Sequence, residues 1–515
     1  MADEIELKLA VSADRVARLK RNPLIRTLAT RRAVTSRLHS VYFDTPDLLL
    51  AKHGLALRIR RIGDRRIQTL KQPIPDPSGL QANREFEVEI AADRPDLSLI
   101  DDPGLQAFFA EHQVAALLAP AFETEFERRA WPLEMFDSTI ELAVDVGEIR
   151  SGDQRMAICE AELELKSGRR GRLFELALAL HDSVPVSLET RTKAVRGYSL
   201  FAPVRPEPQR ATPVRLVPEM SARDAFAEIA RNCLAQLRAN EACARRRDDP
   251  EGVHQLRVAV RRLRALVGAY RSHIDDAIHV YLADELRWLQ LQLGPARDWD
   301  VFVGQGLARL RERLPNELAL EALRREAETL RQSVYQTAIA ALDEPRYTTL
   351  LLKLALWLDG ATWARPASEP GLESPLSRPV GEFANTILRT RHKRLHKLGG
   401  KHAELGEPQL HKLRLLSKKL RYAAEFFRDL YPRKAARRYV DGLVDIQETL
   451  GSLNDAVVSR HLITAAERRL AEHAPALAGR AVGLVLGWQA ARIDDDLRRF
   501  RSVWEDFADQ RAFWG

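Results

Sequence analysis

Two sets of residues in this chain have types and spacings suited to the chemistry of multiply charged anions. The first begins with EIELKLA, which sets Glu4, Glu6 and Lys8 at alternate positions. Further alternating sets follow: Arg58 and Arg60 in LALRIRR, Lys71 after a GDRR turn, and Glu85, Glu87 and Glu89 in REFEVEI. TIELAVDVG contributes Glu141 and Asp145, CEAELELK contributes Glu160, Glu162, Glu164 and Lys166, and RTKAVRGY reads as one more strand carrying Arg191 and Lys193. Carboxylates hold divalent metal through hard oxygens, and Arg and Lys hold phosphate oxygens. Dense charge of both signs is what metal-assisted phosphate chemistry requires.

The second set occurs twice. VHQLRVAVRRLRA from Val253 recurs as LHKLRLLSKKLRY from Leu410, and the related segments LGPARDWD from Leu293 and LGSLNDAV from Leu450 follow at the same spacing. On a helix, His254, Arg257, Arg261 and Arg264 share one face, with Leu256, Val260, Leu263 and Val267 opposite. His411, Arg414, Lys418 and Arg421 repeat that arrangement. One such helix alone reads as a solvated basic face; duplication with matched histidines favours anion binding. The LGPARDWD and LGSLNDAV segments are expected to be turns at helix corners, with Asp298 and Asp455 as caps or ion-pair partners of the stripe. His392 and His396, four apart in RHKRLHK, have a spacing that can bind metal. Arg391, Lys393, Arg394 and Lys397 crowd them and favour a phosphate-facing helix instead.

The elements that must position these residues change character along the chain. Period two prevails up to the proline-rich segment FAPVRPEPQRATPVRLVPEM, and period 3.6 prevails after it. The reading is a strand-rich module over residues 1–202, a semi-rigid linker over 203–219, and a helical region over 220–515. A second proline-rich stretch, Ala361 to Val380, divides the helical region into repeats of about 220–360 and 380–515. Each strand alone could be a half-solvated member of an open sheet. Together their charge favours a closed antiparallel barrel with the charged faces lining the lumen. The expected fold class is α+β: an N-terminal antiparallel β-barrel and a C-terminal all-α domain of two duplicated helical bundles.

Composition narrows the function further. A length of 515 residues implies two or three domains, and 45% hydrophobic with 30% charged residues implies a globular protein. The net charge of +8 favours an acidic partner. Cys159, Cys233 and Cys243 form neither a disulfide framework nor a zinc site, which fits a reducing compartment. MADEIELKLA has no basic n-region or apolar h-region, so no signal peptide is expected. The most apolar run, Leu350 to Leu358, is too short for a bilayer and contains Lys353. A cytoplasmic protein without a membrane partner is expected. Nucleic acid is disfavoured as a partner, because the basic helices lack interleaved aromatics and any groove-reading motif.

The N-terminal ExExK, followed in order by Arg58-x-Arg60, Lys71, the FERRAW segment, Asp145, Glu160-x-Glu162 and TKAVRGY, resembles the CYTH superfamily, the triphosphate tunnel metalloenzymes. The histidine-bearing helices resemble the CHAD domain, and this domain order is familiar in bacterial proteins. The first resemblance implies an eight-stranded tunnel that binds triphosphate with Mg2+ or Mn2+ and hydrolyses it to pyrophosphate and phosphate. It implies metal binding by Glu4, Glu6, Glu160 and Glu162, with Asp145 near a second ion. Lys8, Arg58, Arg60, Lys71, Arg128 and Lys193 are the implied phosphate ligands. Glu85 joins Glu4, Glu6, Lys8 and Lys71 in the implied catalytic set, with Glu87 a competitor for its place and Arg129 a competitor for that of Arg128. Glu164 is an extra carboxylate without an implied role. The second resemblance implies a basic groove that binds polyphosphate through His254, Arg257, Arg261, Arg264, His411, Arg414, Lys418 and Arg421. The alternatives are a polyphosphate-binding protein without turnover, or a hydrolase or cyclase acting on thiamine triphosphate or ATP.

Overall fold

A computed structural model describes residues 2–74, 76, 80–360, 362–365 and 374–514. It divides into two units, Met1–Pro206 with Asp343–Gly360, and Glu207–Leu342 with Ala361–Gly515.

The first unit is built on eight long strands: β1 (Ala2–Ala10), β2 (Val34–Asp44), β3 (Ala56–Ile62), β4 (Arg65–Ile74), β5 (Gln81–Ile90), β6 (Ala119–Met135), β7 (Ser138–Ser151) and β8 (Gln154–Ser167). Their order is β5-β4-β3-β2-β6-β7-β8-β1, every pair is antiparallel, and β1 also pairs with β5. The eight-stranded antiparallel barrel expected from the sequence is therefore present. A short β9 (Ser187–Leu188) lies against the end of β1. β1 closes the barrel by changing partners halfway: Ala2 to Glu6 pair with β5, and Glu6 to Ala10 with β8.

Alternation decides what each face meets. Leu7 and Leu9 point outward into an apolar cluster with Leu142, Leu163 and the helix Gly171–Ser183. Glu6, Lys8 and Arg58 point the other way and are buried in the lumen. The β3–β4 hairpin turns at Gly63, whose φ of 59° suits glycine.

Three sequence expectations change. RTKAVRGY is not a strand: Thr192 caps a helix, Lys193–Phe201, by accepting from the Val195 N–H. The helix Pro345–Asp359, assigned from sequence to the first helical repeat, belongs to the barrel unit. Its Leu352 and Ala355 share one apolar cluster with Leu173, Leu176 and Leu180, and the His181 Nε2 lies 3.0 Å from the Pro345 carbonyl oxygen. Among the described residues no helix is long and apolar enough to cross a membrane.

The third change concerns the duplicated segments of the second unit. LGPARDWD lies inside the helix Asp276–Val301, and LGSLNDAV lies inside the helix Arg433–Ala471; neither is a turn, and Asp298 and Asp455 are not caps. Gly and Pro normally interrupt helices, but burial of Leu293, Ala296 and Trp299 in one copy and Leu450 in the other holds the helix through them. Gly294 serves a packing purpose, since a Cβ there would lie 3.2 Å from an Arg257 nitrogen.

The segment expected as a linker, residues 203–219, contains no helix or strand, yet from Gln209 on it is anchored to the helical unit. Asn240, fully buried, exchanges hydrogen bonds with the Gln209 backbone, and Val214 and Leu216 are buried. Much of the second proline-rich stretch, residues 361 and 366–373, lies outside the described residues.

Candidate functional site

The barrel encloses a cavity of about 400 Å3. Its wall brings together Glu4, Glu6, Lys8, Arg58, Arg60, Lys71, Glu85, Arg128, Glu162 and Lys193, all of them residues singled out from sequence. Period two accounts for nine of these, because each strand sends alternate residues inward; Lys193 arrives instead from the first turn of its helix.

These groups sort into three clusters. On one side Lys71 bridges Glu4, at 2.6 Å, and Glu85, while Asn83 donates to Glu4 at 3.3 Å. Burial opposes ionisation of Glu85, and Lys71 more than offsets it, holding that carboxyl below its usual range. Glu87, the competing position, also borders the cavity but accepts a hydrogen bond from Thr69.

A second, more deeply buried cluster joins β1, β6, β7, β8 and the Lys193 helix. Lys8 pairs with Glu6 at 2.8 Å and with Glu162. Arg128 donates to both oxygens of Asp145 and to Glu162. The Lys193 Nζ sits among Asp145 (2.6 Å), Glu162 (2.9 Å) and Glu160. Arg196, which sequence reasoning passed over, closes the far side on Glu160. It lies one helical turn after Lys193, the spacing that places both on one face. Arg129, by contrast, is exposed on the outer wall over the Trp131 ring, so the register selects Arg128 for the lumen. Burial resists charge on Glu162, but Lys193, Lys8 and Arg128 hold it well below the usual carboxylate range.

The third cluster is cationic. Arg58 donates weakly to the Tyr42 hydroxyl at 3.5 Å and Arg60 to Ser40 at 3.3 Å; among the described residues neither reaches a carboxylate. The buried Arg58 Nε has no hydrogen-bond partner among the described residues. Burial, with the neighbouring charges of Arg58 and Arg128, brings Arg60 down to about 9. Arg58, buried, and Arg60, half-buried, thus lack a direct carboxylate partner among the described residues, though Glu85 and Glu4 add to the field at Arg58; guanidinium groups so placed are chemically suited to an anion.

The residues present also fit a divalent ion. Asp145, Glu160 and Glu162 offer carboxylate oxygens that all lie within 4.8 Å of one another, a hard donor set suited to Mg2+ or Mn2+. Glu6 adjoins this trio through Lys8, whereas Glu4 stands with Lys71 in the separate first cluster. Glu164 also borders the cavity, and burial raises its carboxyl above the usual range despite its ion pair with Lys166.

In the helical unit the two copies meet. The helix Pro250–Ala269 carries His254, Arg257, Arg261 and Arg264, the helix Glu407–Phe427 carries His411, Arg414, Lys418 and Arg421, and the two pack together. Arg257 lies 3.7 Å from Asp298, and Asp455 stands in the field of Arg414 and Lys418 in the other copy. Arg261 adds to the positive field at both Arg414 and Lys418. Burial and these neighbours bring Lys418 down to about 6. Among the described residues, the buried Nε atoms of Arg257, Arg261 and Arg414, and the His254 Nδ1, have no hydrogen-bond partner. Arg264 and Arg421 are held by Gln290 and Gln447, and His411 by Asn454.

His392 and His396, expected on a phosphate-facing helix, are half-buried against aromatic side chains. The His392 Nδ1 lies 2.7 Å from the Tyr439 hydroxyl, and His396 packs on the rings of Trp504 and Phe507. Burial lowers both imidazoles, His396 to about 4, so they serve as neutral packing groups.

Residues 2–198 match the CYTH domain, and residues 228–464 match the CHAD domain. The chain is similar to the inorganic triphosphatase of Haemophilus influenzae, at 34% identity over 201 residues, covering 39% of this chain and 55% of that relative; the match thus spans about half of the relative's length. An uncharacterised protein of Mycobacterium tuberculosis is 27% identical over 455 residues, covering 83% of this chain and 82% of its own. The crystal structure of the CHAD domain from the plant Ricinus communis is 31% identical, with a TM-score of 0.49, and covers 58% of this chain and 96% of that one. This chain belongs to the proteins in which a CYTH domain is followed by a CHAD domain.

Proposed function

We propose that the barrel hydrolyses inorganic triphosphate to pyrophosphate and phosphate with the help of Mg2+ or Mn2+, and that the helical unit binds polyphosphate. The observation that carries the first part is the pair Arg58 and Arg60, lining the barrel cavity without a direct carboxylate partner among the described residues, beside a buried carboxylate trio. The similarity to an inorganic triphosphatase supports the same substrate class.

Arg58 and Arg60 are free to take phosphate oxygens, and Lys8, Lys71, Arg128 and Lys193 border the same space. Triphosphate repels any nucleophile until cations neutralise its oxygens, and enclosure strengthens each of those contacts. Asp145, Glu160 and Glu162, with Glu6 adjoining and Glu4 across the lumen, are the groups that would hold a divalent ion. A bound divalent ion supplies Lewis acidity to a phosphoryl oxygen and a lowered pKa to water. Glu85, paired with Lys71, and Glu164, paired with Lys166, stand at the cavity wall within the same space. The same cations then stabilise the charge of the departing pyrophosphate.

For the helical unit, the duplicated stripe with its unpartnered Arg257, Arg261 and Arg414 Nε donors supports a polyanion ligand. Each charge-assisted hydrogen bond to phosphate contributes about 1.5–3 kcal/mol. Affinity for long polyphosphate is expected to fall steeply with salt, and a flat salt response would count against this ligand.

The deciding experiment is phosphate release by the full chain from triphosphate, ATP, thiamine triphosphate and long polyphosphate, with and without Mg2+. Metal-dependent release from triphosphate, abolished in Glu6→Ala or Glu4→Ala, is the expected outcome. Wild-type rates in those variants would overturn the assignment. Tight binding without release from any substrate would establish a binding protein instead.

A further inference from the structure

The carboxylate trio is already neutralised by the chain itself. Glu6, Asp145, Glu160 and Glu162 are matched by Lys8, Arg128, Lys193 and Arg196 through direct ion pairs, and all four carboxylates are buried. At the centre stands the Lys193 ammonium, in contact with every member of the trio at the place a cation would occupy. Glu162 and Lys193 border the cavity, but Asp145 and Glu160 do not, so the lysine separates them from it.

A divalent ion entering from the lumen meets a neutral, filled cage. To reach Asp145 and Glu160 it must displace a positive group that already makes three ion pairs. A buried carboxylate cluster stripped of its counter-charge is costly, so the exchange needs somewhere for the ammonium to go. The lumen offers one place. Lys193 has a flexible four-carbon stem, borders the cavity, and faces the same space as the unpaired Arg58 and Arg60. A polyphosphate anion held by those arginines would attract the ammonium out of the cage. Lys8, which also contacts Glu162, and Arg128, whose guanidinium is fixed on Asp145, remain as the wall.

We propose that Lys193 is a removable internal counter-ion that occupies the Asp145–Glu160–Glu162 cage until a phosphate anion draws it into the lumen, so that divalent metal and anion load cooperatively. This rests on the reading of the barrel as a metal-assisted phosphate site. In this role Lys193 is a positioning residue for the metal as well as a phosphate ligand.

The test is Mn2+ binding to the full-length protein, followed by electron paramagnetic resonance of free Mn2+, with and without imidotriphosphate as a slowly hydrolysed anion. Wild-type protein is expected to bind Mn2+ weakly alone. Lys193→Met and Lys193→Gln are expected to bind it more tightly without anion, by roughly tenfold or more. The tightening caused by imidotriphosphate should be smaller in both variants than in wild type. Because these variants leave carboxylates uncompensated, a second readout is the Mn2+-induced rise in melting temperature, expected to be larger in the variants. Equal or weaker Mn2+ binding by both variants, with no larger rise in melting temperature, would overturn the proposal. That failure is distinguishable from failure of the barrel's proposed activity, since wild-type turnover of triphosphate is measured separately.

Discussion

Arg128 grips Asp145 through two parallel hydrogen bonds, Nε to Oδ1 at 2.8 Å and Nη2 to Oδ2 at 2.7 Å, and Asp145 is completely buried. Arg58, on the same lumen wall, has no such partner. The two cations therefore differ in what their loss does. Arg128→Met leaves buried Asp145 and Glu162 short of counter-charge and is expected to destabilise the fold by about 3–5 kcal/mol in urea unfolding. Arg58→Met removes a charge that no carboxylate pairs directly, so it is expected to cost less stability than Arg128→Met, while triphosphate affinity falls roughly ten- to a hundredfold. Calorimetric titration on both variants separates the two effects.

Gly197 sits where the Lys193 helix crosses the barrel, and a Cβ there would fall 2.0 Å from the Phe122 ring. Phe122 is itself stacked on Tyr42, with ring centroids 4.5 Å apart, so it has little room to yield. Gly197→Ala is expected to cost about 1–3 kcal/mol by overpacking. It should also raise KM for triphosphate, because the helix carrying Lys193 and Arg196 must lift. A variant with unchanged melting temperature and KM would contradict the close approach.

Leu352 is fully buried in the barrel unit's outer cluster although it lies far along the chain from the barrel strands. Leu352→Ala is expected to cost about 2–5 kcal/mol. The loss should appear as faster hydrogen exchange in β1, β7 and β8, whose Leu7, Leu142 and Leu163 share its cluster. For the same reason a fragment ending at residue 202 should be less stable than the full chain, and a peptide spanning 343–360 should restore part of the loss.

Lys418 carries a pH signature. Arg414 and Arg421 flank it on its own helix, Arg261 faces it from the other copy, and Asp455 is the acid within reach. Burial and these cations bring it to about 6, against an ordinary lysine value of 10.5. Between those values the unfolded chain holds the additional proton, so stability should rise as pH increases through that window, and the penalty for charging Lys418 is complete below about 6. A bound polyanion restores the charge, so binding at neutral pH should take up protons. Calorimetry in buffers of different ionisation enthalpy measures that uptake, and Lys418→Met should abolish it.

Strand alternation made most of the lumen legible in the sequence. Once Glu4, Glu6 and Lys8 share a face with Leu7 and Leu9 behind them, closure of the sheet leaves the charged face nowhere else to go. Helical periodicity made the His254 and His411 stripes legible for the same reason. What periodicity does not encode is the partner of each face. RHKRLHK gives a helix, but nothing local says that Trp504 and Phe507 cover its histidines. RTKAVRGY was ambiguous because its two cations alternate like a strand, and the Thr192 cap that starts the helix is a weaker signal. The apolar run from Leu350 could be recognised as buried, but not which core buries it. LGPARDWD contains strong interrupters, and long-range packing of Leu293 and Trp299 outweighed them.

The split allegiance of β1 has a consequence for biosynthesis. β1 is made before both its partners and must wait for β5 to engage its leading half and for β8, paired through Glu164, to engage the rest. Until that last strand is made, the nascent sheet has two raw edges open to stray pairing, and the ionic interior exists only as scattered side chains. Closure of the lumen therefore waits for β8 (Gln154–Ser167) and turns on the docking of one strand of nine residues.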